Sequence, residues 1–148
     1  MSRPLHLARR CVGAIAPRPP SGAEMATVDA LLAAPEALAW RRLSRADRRH
    51  SLVVLARLDA SHPGAPREAR RAALLHDVGK SLVRIGTAGR VLATLLGPRT
   101  DRWALYREHE RLGAWLCATM GTDAATLALL EGGGDPRWRE ALRRADDV

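Results

Sequence analysis

Residues 72–81, Ala72-Ala73-Leu74-Leu75-His76-Asp77-Val78-Gly79-Lys80-Ser81, constrain the chain more than any other stretch. An Ala- and Leu-rich run of high helix propensity leads directly into an adjacent His and Asp, and a Gly-Lys pair follows. Imidazole nitrogen and carboxylate oxygen are both good ligands for one divalent ion. Neighbouring residues on a helix point about 100° apart, so the pair can share an ion only if the ion sits off the helix end. A stop at Gly79, with the positive φ that glycine accepts at helix ends, is expected to provide that end.

The rest of the composition agrees with a helical chain. Its 148 residues suit one domain, 47% of them are hydrophobic, Phe is absent and β-branched residues are sparse. No run approaches the ~18 apolar residues needed to cross a bilayer. The formal net charge is +8, and Lys80 is the single lysine among the 24 basic residues. That balance suits an anionic partner such as a nucleotide, a nucleic acid or a phosphorylated metabolite. The arginines are spread over many segments, however, so the charge alone defines no binding face. Nucleic-acid recognition has the charge but no motif, and 3% aromatic content offers little for base stacking. Cys11 and Cys117 form neither a zinc spacing nor a disulfide framework, so a reducing, cytoplasmic setting is expected. The apolar patch from Cys11 to Ala16 is too short for a secretion signal.

Taken in order, residues 1–24 hold prolines and arginines without a period and read as a flexible tail, with Met25 an alternative start; residues 25–148 read as one domain. Val28, Leu31, Leu32 and Leu38 predict a helix from Thr27 to Leu43, broken near Pro35. Ser44, with Asp47 three residues on, predicts the cap of a helix reaching about Ala60. His50, Val53, Val54 and Leu58 share its core face, where His50 is either a hydrogen-bonded core histidine or a ligand. His62 falls in an exposed turn. A helix from about Pro66 delivers His76 and Asp77. Thr87 is expected to cap a helix over 88–96. A long helix over 100–120 carries His109 inward with Leu105, Leu112 and Leu116. Thr122-Asp123 opens a helix to about Glu131. The last helix, from Pro136, turns Trp138, Ala141, Leu142, Ala145 and Asp146 to one side, with Asp147 on another.

Leu74-Leu75-His76-Asp77-Val78-Gly79-Lys80 resembles the signature of the HD-domain superfamily, and His76-Asp77-Val78-Gly79-Lys80 is similar to its HD-GYP branch. Members are all-helical metal-dependent phosphohydrolases with an early His, the His-Asp pair, and a late Asp after Leu-x-x-Ala. His50 and Leu142-Arg143-Arg144-Ala145-Asp146 match those outer parts. The resemblance implies an all-α bundle of six or seven helices, with one divalent transition metal (Mn, Fe, Co, Ni or Zn) held by His50, His76, Asp77 and Asp146. His109-Glu110-Arg111-Leu112-Gly113 is similar to a segment that extends the site in multi-metal relatives. Those relatives also carry a His-His pair where this chain has Leu129-Leu130-Glu131-Gly132, and Glu131 offers the one oxygen ligand there.

What the resemblance implies chemically is hydrolysis of a phosphomonoester or nucleotide. In that reading Asp77 orients the attacking water, while Lys80, Arg84 and His109 hold the phosphate. Two nitrogens and two oxygens leave an octahedral ion with open positions at which a water becomes acidic. The alternative expectation is a non-catalytic HD module that binds a nucleotide or a partner protein.

Overall fold

The computed structural model describes residues 17–83 and 102–147, with the backbone alone for residue 83 and residues 102–109. Within these residues the chain is all-helical, with seven helices, one further single turn and no strand. They are α1 Gly22–Leu31, α2 Ala34–Arg41, α3 Arg45–Ser61, α4 Arg67–Leu75, the single turn α5 Lys80–Val83, α6 Arg102–Thr119, α7 Ala124–Leu130 and α8 Pro136–Asp146. The all-α bundle expected from the sequence is therefore what the chain forms. No described helix is long and apolar enough to cross a membrane. The expected helix over 88–96, Arg84, and residues 1–16 of the expected tail lie outside the described residues.

Helix α1 begins at Gly22, not at Thr27. Ser21 and Glu24 form a reciprocal capping box: Ser21 Oγ accepts from Glu24 N–H at 3.2 Å, and Glu24 Oε2 accepts from Ser21 N–H at 2.7 Å. The Ser-x-x-Glu signal lay in a stretch read as tail because Gly22, Ala23 and Ala26 give it no apolar period. Arg49 of α3 fastens the segment further, donating to the carbonyls of Arg18 and Pro19 and to Glu24. The bend before α2 falls at Leu32-Ala33, which leaves Pro35 in the first turn, where its missing N–H costs nothing. Ser44 caps α3 as expected, accepting from Asp47 N–H at 3.0 Å.

Helix α4 is the hub of the bundle, packed against α1, α2, α3, α7 and α8. Ala69, Ala72, Ala73, Leu74 and Leu75 are all buried on it. Its small alanines let neighbouring helices approach on several sides, while Leu74 and Leu75 fill the centre. Trp40 of α2 is fully buried, and its indole N–H is satisfied by Ser51 Oγ at 2.9 Å. Glu36 is also fully buried. It accepts from Ala33 N–H, the Thr122 hydroxyl and Arg71, joining α2, α4 and the start of α7.

The end of α4 differs from expectation in one respect that positions the site. Gly79 does not adopt a positive φ. A run of i→i−3 bonds instead carries the chain through the turn: Val78 N–H to Leu75 C=O, Lys80 to Asp77, Ser81 to Val78 and Leu82 to Gly79. What requires small residues here is an interhelical contact. A Cβ on Gly113 of α6 would lie 3.2 Å from Gly79 N and 3.5 Å from Gly79 Cα. The two glycines let α6 rest directly on the backbone of the His76–Lys80 turn.

Candidate metal centre

Four side chains from three parts of the fold converge at the end of α4. His50 comes from the middle of α3, His76 and Asp77 from the turn after α4, and Asp146 from the last residue of α8. Packing of α3 and α8 across α4 brings His50 and Asp146, 96 residues apart, to a 2.7 Å hydrogen bond between Nε2 and Oδ1. His76 Nε2 lies 3.6 Å from Asp146 Oδ1 and 3.6 Å from Asp77 Oδ2. The His50 and His76 rings stand edge to face, with centroids 5.3 Å apart. One ligand atom each from His50, His76 and Asp77 falls within 4.8 Å of the others.

The protonation of His76 follows from its partner. Its Nδ1 lies 2.9 Å from the Ala73 carbonyl, which can only accept, so Nδ1 carries the proton. In the neutral ring the lone pair is then on Nε2, which is buried and has no hydrogen-bond partner. An imidazole oriented by a backbone carbonyl, with its other nitrogen turned toward two carboxylates, is how metal-ligating histidines are commonly held. Donor atoms sharing an ion with bonds of about 2.1 Å sit about 3 Å apart; the pairs here stand at 2.7 to 3.6 Å, and the His50, His76 and Asp77 group spans up to 4.8 Å. By residue type and spacing this donor set could hold a divalent ion after a modest contraction.

The electrostatics of the outer pair are coupled. The hydrogen bond to Asp146 holds the His50 imidazole above its ordinary pKa, against burial, which works in the opposite direction. The bond from His50, with the nearby His76, holds the Asp146 carboxyl below its ordinary range. An ionised carboxylate only accepts, so the bridging proton belongs to His50 Nε2 and must leave before that nitrogen can bind a metal.

Lys80 Nζ donates to Asp77 Oδ2 at 2.7 Å and lies 3.8 Å from Asp47 Oδ1. Asp47 was read from the sequence only as part of a cap. Its position one turn before His50 was the signal that it borders the site. Asp147 takes the Arg143 guanidinium at 2.7 Å. His109 sits on α6, but its side chain lies outside the described residues, as does the Arg84 proposed beside it. His62, expected to be exposed, is half-buried at the end of α3 and stacks edge-on to Trp138 at 5.8 Å.

Beside the cluster opens a cavity of about 760 Å³, lined by His76, Asp77, Lys80 and Asp146 of the cluster region and also by Leu129, Leu130, Glu131 and Trp115. Trp115 is 61% exposed, the most exposed large hydrophobic side chain among the described residues. Arg111, Arg139 and Arg143 also border the cavity. Its lining mixes the His76 imidazole, five carboxylates, Lys80 and three arginines with an apolar part from Leu129, Leu130 and Trp115.

Comparison with family models, with curated proteins and with solved structures gave no match to this chain.

Proposed function

We propose that the chain is an HD-type metal-dependent phosphohydrolase that cleaves a phosphomonoester or nucleotide. The observation that carries this reading is the His76 imidazole, whose Nδ1 is fixed on Ala73 and whose buried Nε2 is turned, unpartnered, toward Asp77 and Asp146. In this reading His50, His76, Asp77 and Asp146 hold one divalent transition ion, which supplies a water of lowered pKa and polarises a phosphoryl oxygen. His76 and Asp77 keep their donor atoms in place through the α4 turn. The cavity admits the organic part of the substrate, and Lys80 and the arginines at its border attract the phosphate. The buried free thiol of Cys117 is compatible with a reducing, cytoplasmic setting.

The test is elemental analysis of the purified wild type beside Asp77→Ala, followed by phosphate release from a nucleotide and phosphomonoester panel with added Mn²⁺ or Co²⁺. About one transition metal per chain, lost in the variant together with activity, is expected. Activity unchanged by Asp77→Ala would refute the mechanism. A second reading, a regulatory module that binds without turnover, is favoured by Leu129-Leu130-Glu131-Gly132, which brings Glu131 and no histidine to the cavity. Nucleotide binding that survives removal of the metal, with no phosphate released, would select it.

A further inference from the structure

Lys80 occupies an unusual position for a phosphate-binding lysine. It is bonded at 2.7 Å to Asp77 Oδ2, the same oxygen that lies 3.6 Å from His76 Nε2. Of Asp77's two oxygens, the ammonium has therefore taken the one turned toward the metal-ligating histidine. Its side chain is 36% exposed, against 13% for Asp77, and it lines the cavity. On its other side Asp47 stands 3.8 Å away. An ammonium on a four-carbon stem between two carboxylates can let go of one and stay near the other, a freedom that a planar arginine fork lacks.

We propose that Lys80 contends with the divalent cation for Asp77 Oδ2, and that the displaced ammonium becomes the contact for the substrate's phosphate. The inference rests on the metal-dependent reading above. A divalent ion bound through Oδ2 would share that oxygen with the ammonium. Like charges so close repel strongly in a partly buried site. Entry of the ion therefore loosens Lys80, and the cavity is the open side onto which it turns. One residue then lowers metal affinity in the absence of substrate and raises phosphate affinity once the ion is bound. The site is thereby biased to fill with ion and phosphate together.

The chain offers a direct readout, because Lys80 is its single lysine. Protein made with [15N]lysine and treated with chelator is expected to give one ammonium resonance, held in slow exchange by the Asp77 bond. Saturating Zn²⁺ should abolish it, and methylphosphonate, a phosphate-ester stand-in that cannot turn over, should restore it. Lys80→Met should bind Zn²⁺ about fivefold tighter, as loss of one partly exposed ion pair implies, and methylphosphonate more weakly. Lys80→Arg, whose fork releases a carboxylate less readily, should bind Zn²⁺ more weakly than wild type. A lysine that merely braced the turn would weaken both affinities when removed. The inference is overturned by the absence of the ammonium resonance in chelated protein, by its persistence under saturating Zn²⁺, or by Zn²⁺ affinity in Lys80→Met equal to or below wild type. In those cases a wild type that still binds Zn²⁺ leaves the metal site standing. A wild type that binds neither Zn²⁺ nor Mn²⁺ overturns both readings.

Discussion

Replacing Glu36 by alanine tests the interior of this bundle most severely. The carboxylate is fully buried, and one oxygen accepts from Ala33 N–H at 2.8 Å while the other accepts from the Thr122 hydroxyl and from Arg71. Arg71 is 12% exposed and keeps a second partner in Asp123. Glu36→Ala would orphan the buried Thr122 hydroxyl and remove the bond to the N–H of Ala33, the N-cap of α2, each worth about 1 kcal/mol. It would also leave Arg71 half-compensated inside the protein. Removing one partner of a buried pair costs about 3–5 kcal/mol, against a total stability of about 5–15 kcal/mol for a domain. We expect a loss near 4 kcal/mol. With a slope of about 2 kcal/mol per molar urea, the midpoint at neutral pH falls by about 2 M, and Tm falls by about 10 °C. Glu36→Gln keeps the shape and one acceptor, and should lose roughly half as much by the same accounting. A midpoint shift of Glu36→Ala below about 0.5 M, with the slope unchanged, would refute the reasoning. It would mean that the network is solvated in solution and holds no helices together.

Three further outcomes follow from the same geometry. Gly113→Ala should destabilise by about 1 kcal/mol in urea unfolding, because overpacking against the Gly79 backbone at 3.2 Å outweighs a gain of about 1 kcal/mol in helix propensity; a more stable variant would show that α6 does not rest on the turn. Burial, reinforced by the charge of Glu36, pushes the Cys117 thiol up to about 12. In a Cys11→Ser background Cys117 should resist a thiol reagent at about pH 8 until the protein is denatured, and prompt labelling of the native form would contradict its burial. The His50–Asp146 bond makes the stability of chelated protein pH-dependent. Asp146 titrates below its ordinary 3.8 in the fold, so its contribution is present above about that pH and is lost as pH falls through the lowered value. His50 titrates above its ordinary 6.5, so its contribution is complete below about that pH and is lost as pH rises through the raised value. Chelated wild type should therefore melt higher at about pH 6 than at about pH 8.5, and His50→Ala should narrow that gap; an unchanged gap would place the titration elsewhere.

What the sequence determined by itself was everything carried by short-range rules. The Ala- and Leu-rich composition and the 3.6-residue apolar spacing were enough for a helical chain, and the resemblance around His76-Asp77 added the expectation of a bundle. Local caps gave the start of α3 at Ser44. Spacing on a single helix also separated Asp146, which reaches His50, from Asp147, which turns to Arg143. The Ser21–Glu24 box was equally local, and went unread only because its helix begins with residues that carry no apolar period. Gly79 shows the limit of local reading. A glycine after a helix suggests a positive φ, yet its smallness serves a contact with Gly113, 34 positions away on another helix. The tertiary structure alone decided the contacts between distant segments. It paired His50 with Asp146 across 96 residues and Glu36 with Thr122 across 86. It also set Lys80 on the oxygen of Asp77 that faces His76. Periodicity tells which face of a helix is buried, but not which neighbour buries it. That choice depends on how all the faces pack together around α4, and it is there that a set of plausible ligands becomes a cluster with defined distances and a shared proton.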